Sequence, residues 1–186
     1  MTRLMIVVGS VRPGRVGLPI AQWVLGAAEN HGGFEIDFVD LLVLGLPFMD
    51  EPNHPRLHNY TKQHTLEWSA RVAAAEAFIF VTPEYNHSFS PALKNAIDFL
   101  AQEWWRKPLG FVSYGGVSGG SRGVTALEPV TAGVGLVRVG AEVELAFGGA
   151  QVADGVFSPN DKETAVLAKM FAELANEAEV LKPLQS

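Results

Sequence analysis

The feature that most constrains this chain is an alternation: short apolar runs take turns with longer segments whose apolar positions recur at helical spacing. Residues 4–8, Leu-Met-Ile-Val-Val, read as a buried strand that ends at Gly9 and Ser10. In residues 17–30 the apolar positions Leu18, Ala21, Leu25 and Ala28 mark one helix face. A second strand is expected over 34–39, then a Pro-rich loop over about 44–60, a helix over 62–75 and a third strand over 77–81. Ser90-Pro91 looks like an N-cap followed by proline at the first helical position, opening a helix through residue 100. A fourth strand over 109–114, a helix from Gly119-Gly120 to about 132 and a fifth strand over 137–147 follow. A last helix from Asp161 carries Leu167, Met170, Phe171, Leu174, Ala178 and Leu181 on one face. Strands that are apolar throughout, each followed by a helix, imply a parallel sheet covered on both faces. The expected fold class is α/β, with residues 1–186 as a single domain free of repeats and low-complexity segments.

Composition removes whole classes of function. The chain has no cysteine, which excludes disulfides, iron–sulfur clusters, thiolate zinc sites and cysteine nucleophiles. A formal net charge of −6 argues against a general nucleic-acid binder, which needs a basic surface to release counterions. No apolar stretch approaches the ~18 residues of a membrane helix. The opening apolar run is too short for a signal peptide and lacks a small-residue cleavage site. These readings give the expectation of a cytoplasmic protein with no membrane insertion.

In an open parallel sheet, ligands bind beyond the carboxyl ends of the strands, where the strand order reverses. Three loops fall there: residues 10–17, 83–90 and 114–121. The first leaves a strand and enters a helix, so unpaired N–H groups and the positive helix end face it. Ser10, Arg12 and Arg15 add a hydroxyl and two guanidinium groups, which suits a phosphate monoester. The plain alternative is a loop with solvated arginines. Gly9-x4-Gly14 resembles a degenerate P-loop, but Arg15-Val16 stands where Lys-Ser/Thr is required, and no Gly-x-Gly-x-x-Gly occurs. The second loop, Thr82-Pro83-Glu84-Tyr85-Asn86-His87-Ser88-Phe89-Ser90-Pro91, offers amides and an aromatic ring to a flat heterocycle. Its alternative is a turn in which Glu84 and Asn86 only close the backbone. In the third, Gly116-Val117-Ser118-Gly119-Gly120 contains a nucleophile-elbow pattern, yet all five histidines precede Ser118, against the hydrolase order. Its glycines more simply let backbone approach a planar ligand.

Other features are weaker. His54, His58 and His64 have suggestive spacing, but Pro55 interrupts them and no acidic motif joins them, so no metal site is expected. Trp104-Trp105 reads as core or interface, and Glu173, Glu177 and Glu179 as the solvated side of the last helix.

With these loops in hand the sequence resembles the NADPH-dependent FMN reductase family of flavodoxin-like proteins. The matching pieces are Gly9-Ser10-Val11-Arg12, Thr82-Pro83-Glu84-Tyr85-Asn86, Leu93-Lys94-Asn95-Ala96-Ile97-Asp98 and the glycine loop of residues 115–120. The resemblance implies a flavodoxin-like three-layer fold with strand order 2-1-3-4-5 and one non-covalent FMN per chain. By that analogy Ser10, Arg12, Arg15, Val16 and Gly17 hold the phosphate. Pro83, Glu84, Tyr85 and Asn86 hold the isoalloxazine, Tyr114, Gly115 and Gly116 close its other edge, and Tyr85 borders the nicotinamide site. Many relatives have serine and asparagine where this chain has Arg15 and Gly17, a departure at the phosphate end. The resemblance further implies a ping-pong oxidoreductase in which hydride from NADPH or NADH reaches a quinone, flavin, azo or metal-ion acceptor through FMN, with no obligate acid–base residue. It implies a homodimer or dimer of dimers, with Asn95, Asp98 and the Trp104 region as interface candidates. The competing reading is a flavin-binding electron carrier or redox-responsive interaction protein without efficient NAD(P)H turnover.

Overall fold

A computed structural model of the chain describes residues 1–185. β1 (Thr2–Val8) leads into α1 (Gly17–His31), β2 (Phe34–Asp40) and the four-residue α2 (Leu41–Leu44). A long segment holding one 3-10 turn, Pro55–Leu57, then enters α3 (Gln63–Ala74) and β3 (Ala77–Pro83). Next come α4 (Pro91–Asp98), β4 (Pro108–Gly115), α5 (Ser121–Gly133) and β5 (Val137–Ala146). The chain closes with two short strands, β6 (Val152–Ala153) and β7 (Val156–Phe157), and α6 (Asp161–Leu181).

The five long strands form one sheet in the order β2-β1-β3-β4-β5, every pair parallel. This is the flavodoxin-like α/β arrangement. β3 is buried at all seven positions, as a central strand covered on both faces must be. β5, at the sheet edge, instead alternates buried and accessible residues. Each sheet face has its own core. Leu4, Ile6, Ile79 and Val112 pack with Ile20 and Val24 of α1 and Met170 and Phe171 of α6. Met5, Phe78, Phe80 and Phe111 pack with Trp68 of α3, Ile97 of α4 and Leu127 of α5.

The helix boundaries follow local chemistry. Gly32 closes α1 in the left-handed region, and its N–H bonds the Ala28 and Glu29 carbonyls. Asn160 and Glu163 form a reciprocal capping box at the start of α6. Ser90 stands at the N-cap position of α4, but its side chain makes no cap bond; its hydroxyl donates to the Gly9 carbonyl at 2.6 Å. No described helix is long and apolar enough to cross a membrane.

Candidate flavin site

The register puts the three loops side by side. Val8 pairs with Val81 and with Asp40, and Pro83 pairs with Tyr114, so β1, β2, β3 and β4 end close together. The first loop is drawn against β3 by the Gly9 amide, which donates to the Val81 carbonyl at 2.8 Å. Ser90 holds it from the other side. Sequence reading gave Ser90 only a capping role; its stitch between two loops, 81 residues apart in sequence, emerges from the fold.

Within the first loop the polar groups divide. Ser10 is buried, and its hydroxyl shares a hydrogen bond of 2.9 Å with the Tyr85 phenol. Arg12 is exposed and has no ion-pair partner among the described residues. Arg15 is committed elsewhere. Its Nη1 donates to the Ser10 carbonyl at 2.6 Å and to Asp40 Oδ1 at 2.7 Å, and its Nη2 pairs with Asp40 Oδ2. The two side chains are only 9% and 11% exposed. A guanidinium so engaged fastens the loop to the end of β2. Asp40 was missed in the sequence, although its place at the end of a strand level with β1 was the available signal.

Val16 occupies the N-cap of α1 and offers no side-chain cap, so the amides of Gly17 and Leu18 keep their capacity for an outside acceptor, Pro19 having none to give. Gly17 is buried, and a Cβ there would overlap the Tyr114 hydroxyl and lie 3.0 Å from Tyr114 Cζ. Tyr114 therefore turns toward the start of α1 and away from the surface of the third loop.

The second loop is a two-residue hairpin. The amide and carbonyl of Tyr85 exchange hydrogen bonds of 2.9 Å with those of Ser88, leaving Asn86 (φ 48°) and His87 (φ 65°) at the tip. Positive φ at both central residues matches a type I′ turn, for which Asn is a favoured residue. Asn86 and His87 are exposed, whereas Pro83 is buried at the end of β3. The Glu84 amide donates to the Tyr114 carbonyl at 3.0 Å. Its carboxylate accepts from Ser118 Oγ and Arg122 Nε, both at 2.7 Å. Burial alone would raise the Glu84 pKa; the bonds from Ser118 and Arg122 outweigh it and hold the group below its ordinary value. Glu84 thus latches the second loop to the third by its side chain. The partners of Ser118 are a carboxylate and a guanidinium, with no imidazole, which disposes of the nucleophile-elbow reading.

The third loop turns through Gly119 (φ 62°) and Gly120 (φ 94°), the latter capping α5. Gly116 has open space where a Cβ would stand, so its backbone is approachable. Gly115 instead packs against the Gly120 amide, its Cβ position 3.1 Å away.

Three histidines singled out in the sequence go to separate partners. His54 Nδ1 accepts from the Arg56 amide at 3.1 Å, His58 lies 3.3 Å from Glu103, and His64 lies 2.9 Å from Asp50. Asn95, an interface candidate, bonds the Pro47 carbonyl and the Met49 amide and so ties the long segment to α4. Trp104 is buried, with its indole N–H donating to the Ile97 carbonyl at 3.1 Å, whereas Trp105 is 48% exposed. Beside the first loop runs an apolar groove of about 430 Å³, lined by Val11, Leu41, Leu46, Phe48, Pro91 and Ala92 among others.

A cradle with an uncapped helix start, a buried serine and a free arginine suits a phosphate. An approachable glycine backbone beside an exposed hairpin tip suits a flat ring. The residues present therefore fit FMN. Comparison with known proteins leads to the same place. An NAD(P)H-dependent FMN reductase of Schizosaccharomyces pombe is 42% identical over 120 residues, covering 63% of this chain and 60% of that protein. One of Saccharomyces cerevisiae is 37% identical over 146 residues, covering 73% and 76%. The match spans 63% of a Nectria relative of the same description, so under two thirds of the length of some relatives. The solved NAD(P)H:(acceptor) oxidoreductase of Paracoccus denitrificans superimposes with a TM-score of 0.76 over 97% of this chain and 99% of that one, at 24% identity, a likeness of fold. The family model described as NADPH-dependent FMN reductase matches residues 2–150, a span that takes in all three loops and the strands that place them. By that match and by its fold, this chain belongs to the NADPH-dependent FMN reductase family.

Proposed function

We propose that this protein is an FMN-dependent NAD(P)H oxidoreductase acting on small-molecule acceptors. The observation that carries the reading is the convergence, at the carboxyl ends of β1, β3 and β4, of the uncapped start of α1, buried Ser10 and unpaired Arg12 with the hairpin of residues 83–88. When bound, FMN would supply the redox chemistry that links oxidation of NADPH or NADH to reduction of an acceptor, the order expected being ping-pong.

The protein's part is position and electrostatics. The amides of Val16 and Gly17 and the Ser10 hydroxyl face the phosphate end, and Arg12 adds an unpaired positive charge. Arg15, neutralised by Asp40, sets the loop that carries Ser10. Pro83, Glu84, Tyr85 and Asn86 border the isoalloxazine; the Glu84 and Tyr85 amides are used within the fold, so the amide at the hairpin tip, Asn86, is the backbone donor left for the ring, with the latch from Glu84 to Ser118 and Arg122 holding the two loops in register. Gly115 and Gly116 border the ring without side chains. Tyr85, tethered to Ser10, borders the nicotinamide position. No side chain is required as an acid or base, because hydride transfer needs close alignment more than a titrating group.

Among quinone, flavin, azo and metal-ion acceptors, a quinone suits the apolar groove at Val11 and Pro91. A relative from Solanum tuberosum, 37% identical over 119 residues, is described as an NAD(P)H:quinone oxidoreductase. A homodimer, placing exposed Trp105 and the apolar side chains of Leu42, Val43 and Phe48 against a second copy, accords with their exposure. The test is initial-rate kinetics of the FMN-loaded protein with NADPH against a soluble quinone, free FMN, an azo dye and ferric chelate. Parallel double-reciprocal lines, with the quinone giving the highest kcat/KM, are expected. Negligible NAD(P)H oxidation with every acceptor, despite a full complement of FMN, would favour the electron-carrier reading.

A further inference from the structure

Tyr114 stands near the end of β4 with only 7% of its surface exposed. Its hydroxyl makes no hydrogen bond of full geometry among the described residues; the Ser10 hydroxyl, close enough to bear on it, is bonded to the Tyr85 phenol. A buried O–H without an acceptor is costly and rare, so such a group calls for a ligand that completes it. Its direction is fixed by its neighbour: the hydroxyl occupies the space that a Cβ on Gly17 would take. Gly17 is the first residue of α1, a 15-residue helix whose N-cap, Val16, supplies no side-chain acceptor. A buried donor without a partner and an uncapped helix start therefore converge on one point. What both lack is an acceptor, and a negative one is favoured at that end of a helix.

We propose that Tyr114 Oη donates a hydrogen bond to the phosphate group of FMN at the start of α1, and that Gly17 is glycine to make room for it. The proposal rests on the FMN reading above and changes the part played by Tyr114, from bordering the flavin ring to selecting the phosphate. Burial pushes the Tyr114 pKa above the ordinary phenol value, so the group stays a donor across the working pH range. The hydroxyl thereby replaces a polar side chain at position 17 with one delivered from a different strand. Phosphate recognition is shared between the first loop and β4, and the protein gains discrimination between FMN and riboflavin.

The test compares FMN and riboflavin binding to the parent protein and to Tyr114→Phe by quenching of flavin fluorescence. The variant removes one oxygen that makes no full hydrogen bond within the protein, so the thermal midpoint of flavin-free protein should barely change. FMN affinity should drop about ten- to a hundredfold, the range for one hydrogen bond to a charged acceptor, while riboflavin affinity stays unchanged. The phosphorus NMR resonance of bound FMN should also shift between the two proteins. Gly17→Ala should weaken FMN binding in the parent and cost less in the Tyr114→Phe background, where the overlap with the hydroxyl is gone. Unchanged FMN affinity in Tyr114→Phe, or an equal loss for both flavins, would overturn the phosphate assignment while leaving the FMN reading intact. A folded parent protein that binds neither flavin would overturn both.

Discussion

Arg12 and Arg15 sit three residues apart in one loop and face opposite tasks. Arg12 is exposed and unpaired, whereas Arg15 gives its donors to Asp40 and the Ser10 carbonyl. Removing Arg12 should therefore lower FMN affinity while leaving the fold alone. Arg12→Ala should cost about 1.5–3 kcal/mol of FMN binding, the magnitude of a lost charge-assisted bond, with an unchanged melting temperature. Asp40→Asn is more telling, because it frees Arg15 instead of deleting it. A positioning role predicts weaker FMN binding and a lower melting temperature; a direct phosphate contact by Arg15 would leave FMN binding equal or tighter. Titration calorimetry on both variants reads the difference. At this scale the sequence was partly legible: Ser10, Arg12 and Arg15 could be picked out as candidates because a strand-to-helix loop with donors suits an anion. The partner of Arg15 could not, since it depends on which strand lies beside β1. The same holds for the bond from Ser90 to Gly9 and for the latch from Glu84 to Ser118, both products of strand order.

Helices and strands were legible where burial imposes a period. β3, apolar at every position but one, and α6, with its apolar stripe, follow directly from residue spacing. The hairpin of β6 and β7 escaped because two-residue strands have no period to detect. Its turn nevertheless carries a signal, Asp154-Gly155 with both residues at positive φ. The segment between α2 and α3 has almost no regular structure and is held by single side chains. Glu51 accepts from the amides of Thr61 and Lys62 at 2.8 and 2.9 Å and from the Thr61 hydroxyl at 3.0 Å. Desolvation opposes its ionisation, but these bonds prevail and bring its pKa down to about 2. A carboxylate whose pKa is lower folded than unfolded contributes stability above its unfolded value, near 4.3, and loses it as pH falls through the folded one. Glu51→Gln should therefore lower the melting temperature at neutral pH, with the gap to the parent closing between about pH 4.3 and 2. A gap independent of pH over that window would show that the ionised carboxylate is not what holds the segment.

For the whole molecule, the parallel sheet brings the three loops together at the carboxyl ends of its strands. The order β2-β1-β3-β4-β5 makes β1 and β3 neighbours with connections running to opposite sides, and the crevice between their ends is where the 10–17 loop and the 83–88 hairpin meet. Five alternating units were enough to expect the α/β class from the sequence alone. The strand order came from family resemblance, because periodicity says nothing about which strands are adjacent. The most direct test of flavin-dependent reduction is an anaerobic visible absorption spectrum of FMN-loaded, desalted protein, recorded before and after one equivalent of NADPH. Flavin bands that survive desalting and bleach promptly on adding NADPH are the expected result. Folded protein that retains no flavin, or retained bands that NADPH leaves unbleached, would contradict it.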